Sequence, residues 1–181
     1  YFGLSSEEEA VKKMVGLHVV ADSSLENPKI GADNYCGLLA NIAKRAEFHE
    51  YVFPFAASVA KFVATATSQR AVLFGINFFT NMTSKEDTRA KLRGTDCVAV
   101  VLGALRKNVA TQPIVIAGLT ALANAAIDTE IKKTFKGLGV FETVNEVIEK
   151  YEGEPRALEK AVSVVVSACS KDTDNQAAVK E

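Results

Sequence analysis

The chain has 181 residues, of which 48% are hydrophobic and 24% are charged, so it holds enough apolar material for a folded core. Its formal net charge of -1 lacks the basic excess that nucleic-acid binders and proteins of anionic membrane surfaces usually show. The cysteines, Cys36, Cys97 and Cys169, have neither CxxC nor Cys/His spacing, which argues against a zinc site and a disulfide framework and indicates a reducing compartment.

The amino-terminal stretch shows neither a cleavable signal nor a membrane span. Its opening, YFGLSSEEEAVKK, is acidic, and the apolar run that follows is too short and too interrupted to cross a bilayer. Because the chain starts at Tyr1 without a methionine, we expect a longer parent chain around it. The sequence therefore predicts a protein without membrane insertion, in the cytoplasm or the nucleus.

Apolar residues recur at helical spacing through the first half of the chain. Acidic residues open the first segment and Lys44 and Arg45 close the second, as the helix dipole favours. Pro54 suits the first position of a further helix, where its missing N–H would have no partner. The predicted helices of this half run over residues 7–21, 31–45, 47–53, 54–66 and 69–83.

The second half continues the helical pattern, with a cap by Thr95 or Asp96 expected before its second helix. Within residues 112–151 the pattern predicts an apolar helix, a short charged helix, a glycine turn and an amphipathic helix. Alternation with period two is absent, so no strand is expected. The other predicted helices run over residues 86–93, 96–107, 156–169 and 172–181.

Segment 112–151 repeats an earlier part of the chain. Laid over the segment that begins at Gln69, it matches with a constant offset of about 43 residues, which is in the range of helical repeats. The repeats are expected at residues 1–46 (partial), 47–84, 85–127, 128–170 and 171–181 (the start of another). The matched pairs are Val72 with Val115, Gly75 with Gly118, Asn81 with Asn124, Leu92 with Phe135, Gly94 with Gly137, and Cys97 with Val140.

Two kinds of segment recur within this unit. A short helix followed by glycine appears as TRAKLRG and IKKTFKG, and a late-helix asparagine appears in LLANIA, FFTNMT and ALANAA. This pattern resembles the armadillo repeat family over essentially the whole chain. The resemblance implies an all-α fold, a right-handed α-solenoid of about four three-helix repeats, with the chain beginning and ending inside a repeat. It specifies the fold well and the function poorly.

The resemblance also implies a partner-binding face. In armadillo proteins the third helices line a concave groove, and a late asparagine faces the ligand; here that position holds Asn41, Asn81 and Asn124. An amide can pair both polar groups of one peptide unit, and helices about 8–10 Å apart match two or three residues of extended chain. The alternative is that each asparagine only bonds nearby backbone and ends its helix.

The position one turn earlier separates this chain from the nuclear-import adaptors of that family. Those adaptors carry a tryptophan there, and pairs of indoles form slots for lysine side chains. The matching residues here are Gly37, Asn77 and Thr120, and the chain contains no tryptophan. We therefore expect a broader polar surface, with these three residues in it, and disfavour an import adaptor.

Three classes of function follow from these patterns. The first is a non-catalytic scaffold that binds an extended peptide or a partner protein. It is expected to have no metal, cofactor or catalytic residues and to bind no nucleic acid. Self-association through the two ends of the chain, where the repeats are incomplete, is a further expectation. The second is a chaperone or assembly factor that shields clients. An enzyme is the third and the least favoured. The chaperone alternative rests on five aromatic residues, Phe53, Phe55, Phe62, Phe78 and Phe79.

The histidines and cysteines have simpler expected roles. His18 and His49 have no partners at metal-ligand spacing, and Glu47, His49 and Glu50 are predicted to form a solvated charged face. Cys36 and Cys97 align with Ile76 and Val140 and are expected in the core.

Overall fold

The computed structural model describes residues 9–13 and 31–179, and this part of the chain is helical with no strand. His18 and most of the predicted helix 7–21 lie outside it. The helices are α1 (Ala32–Ile42), α2 (His49–Val52), α3 (Ala56–Thr65), α4 (Gln69–Met82), α5 (Glu86–Leu92), α6 (Cys97–Lys107), α7 (Gln112–Ala125), α8 (Thr129–Lys132), α9 (Phe135–Leu138), α10 (Val140–Lys150), α11 (Pro155–Cys169) and α12 (Thr173–Ala178).

The helices form two rows. The long helices α1, α4, α7 and α11 make the first row, in which each packs against the next in chain order. The second row contains α3, α6 and α10, and each of these packs against the long helix that follows it in the sequence. The buried side chains of both rows make one continuous core. The predicted all-α class is therefore confirmed. The unit 112–151 contains the predicted apolar, short and amphipathic helices, with one additional short helix, α9, before the amphipathic one.

The apolar helix spacing explains why each helix buries only part of its surface. In α6 the buried residues Val98, Val101, Leu102 and Leu105 fall three or four apart, which places them on one side of the helix. Pro113 and Pro155 stand in the first turns of α7 and α11, where a proline removes no helical hydrogen bond. Cys36 and Cys97 are buried as expected, and burial raises the pKa of the Cys36 thiol to about 12.

Two glycines at the same repeat position let the rows approach closely. A Cβ on Gly118 of α7 would lie 2.7 Å from both Cγ and Cδ2 of Leu105 in α6. At Gly75 of α4 an added Cβ would overlap Cγ2 of Val63 in α3. Since packed interiors have no room for an extra methyl group at such distances, these two positions fix how tightly the second row rests on the first.

The short segments after the long helices satisfy carbonyl groups at helix ends. The last turn of a helix leaves carbonyl oxygens without intrahelical partners, and one buried polar side chain from each short helix donates to such an oxygen. The bonds are His49 Nε2 to Ala43 O (2.8 Å), Arg89 Nη1 to Thr83 O (2.8 Å), Lys132 Nζ to Ser170 O (2.6 Å), and Asn175 Nδ2 to Ala168 O (3.2 Å).

The prediction that His49 belongs to a solvated face is therefore wrong. Its ring is buried, and Nδ1 also lies 2.7 Å from the hydroxyl of Thr88 in the next short helix. Its neighbours Glu47 and Glu50 are exposed as expected. The error arose because three adjacent polar residues look equivalent in sequence, while only one of them points at the helix end.

The turn before the second-row helices differs in detail from the prediction. Gly94 has φ 72°, but in the next unit the glycine with φ 72° is Gly139, because Gly137 lies within the extra helical turn α9.

The expected cap before α6 is also wrong: Asp96 makes no side-chain cap bond, and the Thr95 hydroxyl donates to Leu92 O at 2.7 Å. Pro54 stands in a 3-10 turn that precedes α3.

An ion pair ties the end of the short helix α5 to the start of the next short helix, α8. Arg93 donates to both carboxylate oxygens of Asp128, with its Nη2 2.8 Å from Oδ2. Asp128 is buried and also caps α8 by accepting from the amides of Glu130 and Ile131. The hydrogen bonds from Arg93 hold the pKa of this carboxyl below its usual range.

We expect the substitutions Gly118→Ala and Gly103→Ala to have opposite effects. The first forces a methyl group into Leu105 and should lower the free energy of unfolding by about 1–3 kcal/mol. The second adds a methyl group inside α6 with nothing within 4 Å, and should raise it by about 0.5–1 kcal/mol through helix propensity. Urea unfolding of both variants checks this, and equal effects would contradict the close approach.

We expect acid to remove the stabilisation that Asp128 provides. A carboxyl whose pKa is lower in the folded chain contributes fully above its ordinary pKa, and the contribution is lost as pH falls through the lowered pKa. Asp128→Asn keeps an N-cap residue and removes the charge, so its unfolding free energy should fall less between neutral pH and pH about 3 than that of the natural chain.

The matched control is Asp172→Asn. Asp172 caps α12 through the amide of Asn175 but forms no ion pair with another described residue. Urea unfolding at the two pH values should give this variant a pH dependence close to that of the natural chain. An Asp128→Asn variant with an unchanged pH dependence would contradict the role of the ion pair.

Candidate functional site

The predicted asparagines at Asn81 and Asn124 bridge neighbouring long helices. Asn81 Nδ2 donates to Ala40 O of α1 at 2.9 Å, and Asn124 Nδ2 donates to Thr80 O of α4 at 3.3 Å. Both bonds join the same two repeat positions, and both side chains are partly buried. Each amide thus uses one of its N–H donors to join two neighbouring long helices. The sequence suggested either contact with a ligand or a bond to nearby backbone, and neither hypothesis contained this role.

Asn41 stands at the same position of α1 but has a different environment. Its side chain is exposed and makes no hydrogen bond with the rest of the described chain. Gly37, one turn earlier, is buried, and a Cβ added there would lie 3.0 Å from Cε2 of Phe74 in α4. Gly37 therefore lies under an aromatic ring, and it brings the backbone of α1 close to α4 without offering a side chain to a partner.

Asn77 and Thr120 lie together in a groove between α4 and α7. The groove has a volume of about 440 Å³, and it is open along one side. Asn77 makes no side-chain hydrogen bond with any described residue, while the Thr120 hydroxyl donates to Ile116 O within its own helix at 2.7 Å. Of the six predicted partner-binding residues, these two are the ones that line the groove. The groove is also lined by Leu73, Thr80, Gln112, Pro113, Ile116, Ala117 and Arg156.

The floor of the groove is apolar and its ends are polar. Leu73 and Ile116 occupy the same position of α4 and α7, and both are only partly buried. At one end Gln112 Nε2 donates to Glu154 Oε2 at 2.9 Å, and the exposed Arg156 contributes its side chain from α11. A carboxylate brought to this end would find a guanidinium able to bind both of its oxygens.

Arg70 and Phe74 of α4 contact α1 next to the groove. The Arg70 guanidinium lies 5.3 Å from the ring centroid of Phe74, and its Nη2 donates to Asn34 Oδ1 at 3.4 Å. These contacts hold Arg70 over the aromatic ring rather than free in solvent. The surface of α4 therefore carries apolar, amide and guanidinium groups close together.

Another depression, between α2 and α5, is a weaker candidate. It has a volume of about 610 Å³, and charged residues of both signs line it, including Glu47, Glu50, Lys85 and Lys91. The two buried polar side chains in it, His49 and Thr88, hydrogen-bond to each other, and His49 Nε2 also donates to Ala43 O. In the described residues no group of three or more His, Cys, Asp or Glu side chains is placed to hold a metal ion.

Sequence reasoning missed Leu73, Ile116 and Arg156. The first two were detectable, because Ile116 follows Leu73 by the repeat offset and both lie one turn before the predicted pair Asn77 and Thr120. An apolar residue recurring on the side of a helix away from its core stripe indicates an exposed patch. Arg156 carried no such signal, since the matching residue of the preceding unit is Pro113 and the arginine does not recur in adjacent units.

No family model, curated protein or solved structure matches this chain. Among the described residues, no helix is long and apolar enough to cross a membrane. We therefore infer function from the geometry of the groove and of the helix contacts around it.

We expect Asn124→Ala and Asn77→Ala to separate the structural amides from the groove amides. The first removes a bond between α4 and α7 and should lower the free energy of unfolding by about 1 kcal/mol. The second removes an amide that bonds nothing among the described residues, and should change stability by less than about 0.5 kcal/mol. Urea unfolding measures both, and a larger cost for Asn77→Ala would contradict the assignment.

Proposed function

We propose that this chain is a non-catalytic interaction module that binds an extended segment of a partner protein along the groove of its long helices. We further propose that it is an armadillo-type, right-handed α-solenoid and acts in the cytoplasm or the nucleus. The carrying observation is the groove between α4 and α7, where the unbonded amide of Asn77 stands beside the apolar pair Leu73 and Ile116.

The chemistry of the groove fits an extended peptide. The Asn77 amide can donate to and accept from one peptide unit, which secures the backbone of a partner without regard to its sequence. Leu73 and Ile116 offer apolar area to one partner side chain, and Arg156 offers charge-assisted hydrogen bonds to an acidic one. Long helices about 8–10 Å apart correspond to two or three residues of extended chain at about 3.3 Å each.

In this proposal the predicted site residues have two different roles. Asn77 and Thr120 face the partner, whereas Asn81 and Asn124 hold neighbouring long helices in register through their donors to Ala40 O and Thr80 O. The side-chain oxygens of the two bridging amides accept no hydrogen bond from a described residue.

The five aromatic residues on which the chaperone alternative rests belong to the core or pack against it. Phe55, Phe78 and Phe79 are buried, and Phe53 and Phe62 pack against the core as partly buried residues. The described surface therefore offers no cluster of exposed aromatic side chains for unfolded clients.

Cys36 and Cys97 are buried free thiols, and such thiols fit the proposed reducing compartment.

The proposal is tested by selecting peptides from a displayed library of unstructured sequences against the immobilised chain. Selected peptides should share an acidic and an apolar residue at fixed spacing. We expect the pair Asn77→Ala and Thr120→Val to weaken their binding by about tenfold or more, measured by fluorescence anisotropy.

Asn145→Ala is the matched control, because Asn145 is exposed on α10 and belongs to the second row. This substitution removes the same chemical group, a side-chain amide, from outside the groove and should leave peptide binding unchanged. Selected peptides that bind the groove variant and the natural chain equally would overturn the groove assignment.

A further inference from the structure

Two arginines hold the same repeat position on either side of the groove between α4 and α7. Arg70, Pro113 and Arg156 follow one another by the repeat offset, and each is the second residue of its long helix. Helix α7, which carries the proline, packs against both α4 and α11. The uncharged side chain of Pro113 therefore lies between two first turns that each carry a guanidinium group.

Arg70 lies on the side of α4 that forms the groove. It stands one turn before Leu73 and two turns before Asn77, which both line the groove, and this spacing places the three on one side of the helix. Arg70 is exposed, and it makes no hydrogen bond or ion pair with a described residue besides its bond to Asn34. Since a guanidinium has five N–H donors, Arg70 keeps donors for a ligand.

Arg156 is also exposed, and it forms no hydrogen bond or salt bridge with a described residue. The acidic residues close to it in sequence already have partners. Glu154 Oε2 accepts from Gln112 Nε2 at 2.9 Å, and Glu159 Oε1 lies 2.8 Å from Lys160 Nζ. The bond from Lys160 is the main cause of the lowered pKa of Glu159, and the nearby charge of Arg156 contributes less. The Arg156 guanidinium is therefore open to an incoming carboxylate.

Helix stability does not account for arginine at these two positions. The amino-terminal end of a helix carries a partial positive charge, so its first turn favours acidic side chains over basic ones. The first turns of α4, α7 and α11 contain no acidic residue. Arg70 and Arg156 thus add positive charge where helix ends are already positive, and a carboxylate bound there is attracted by both sources.

We propose that the groove selects an acidic segment, in which Arg70 binds one carboxylate side chain, Arg156 binds a second, and an apolar side chain lies between them. This inference rests on the proposed function and defines the sequence preference of the same site. Long helices pack about 8–10 Å apart, so the same position of α4 and of α11 lies about 16–20 Å apart. At about 3.3 Å per residue this distance corresponds to five or six residues of extended chain.

The surface between the arginines fits the side chains of a peptide. Side chains alternate along an extended chain, so two acids six residues apart point to one side, and the residue two places from the acid at Arg70 points the same way. That residue lies between α4 and α7, over the apolar pair Leu73 and Ile116. Single-stranded nucleic acids are usually held by aromatic side chains on which bases stack, and none of the residues that line the groove is aromatic.

The test is fluorescence anisotropy with a labelled synthetic peptide of the pattern Glu-x-Leu-x-Leu-x-Glu, in which x is serine or glycine. Its symmetry places one leucine over the apolar pair in either chain direction. We expect it to bind about tenfold more tightly than the same peptide with both glutamates replaced by glutamine. A peptide with its two glutamates three residues apart cannot reach both arginines, so it should bind no better than a peptide with one glutamate.

The variants Arg70→Gln and Arg156→Gln should each weaken binding of the acidic peptide by about threefold or more, and should not change binding of the glutamine peptide. Lys150→Gln is the matched control, because Lys150 is exposed on α10 in the second row and its loss changes the net charge equally. It should leave binding unchanged. Both arginines are exposed, so the circular dichroism and thermal midpoint of their variants should match those of the natural chain.

The possible failures are distinguishable. Equal binding of the acidic and glutamine peptides, with both weakened by the pair Asn77→Ala and Thr120→Val, would overturn the acidic preference and leave the proposed function standing. A chain that binds neither the designed peptides nor any peptide from the library would overturn both. Acidic-peptide binding that Lys150→Gln weakens as much as Arg70→Gln does would contradict the assigned arginines. Single-stranded oligothymidylate that displaces the labelled peptide better than unlabelled peptide does would overturn the choice of a protein partner.

Discussion

The structure depends on the close side-by-side contact of successive long helices. Glycine at one position of α4 and α7 lets the second row rest directly on them, and Gly37 brings α1 close to the ring of Phe74. The amides of Asn81 and Asn124 then fix the register of each pair by bonding a carbonyl of the preceding helix. Apolar burial supplies most of the stabilisation in such contacts, and the amide bonds determine which residues face each other.

This contact divides each long helix into a buried side and an available side. Residues that meet the second row or a neighbouring long helix are buried, as Ile76 and Leu119 are, and the remaining side carries Leu73, Asn77 and Thr120. The available sides of adjacent helices join into a groove because the register of the helices is fixed. In the proposed function, the binding surface therefore arises from the packing itself, without a dedicated loop or inserted element.

The helices could be predicted from sequence because their apolar spacing is local information. The equivalence of Asn81 and Asn124 was also visible, as a recurrence at a fixed offset. What each amide bonds was not visible, since that depends on the register between helices that lie about 40 residues apart in the chain. The burial of His49 was missed for the same reason: only the folded chain shows that its ring points at the carboxyl end of α1.

The central claim is that the amides at Asn81 and Asn124 are engaged between helices while the amide at Asn77 is free to bind a partner. Hydrogen exchange of the side-chain amide protons, followed by nuclear magnetic resonance, tests it most directly. We expect slow exchange for Asn81 and Asn124 and exchange at the rate of a solvated amide for Asn77. Slow exchange at Asn77, or free exchange at both of the others, would contradict it.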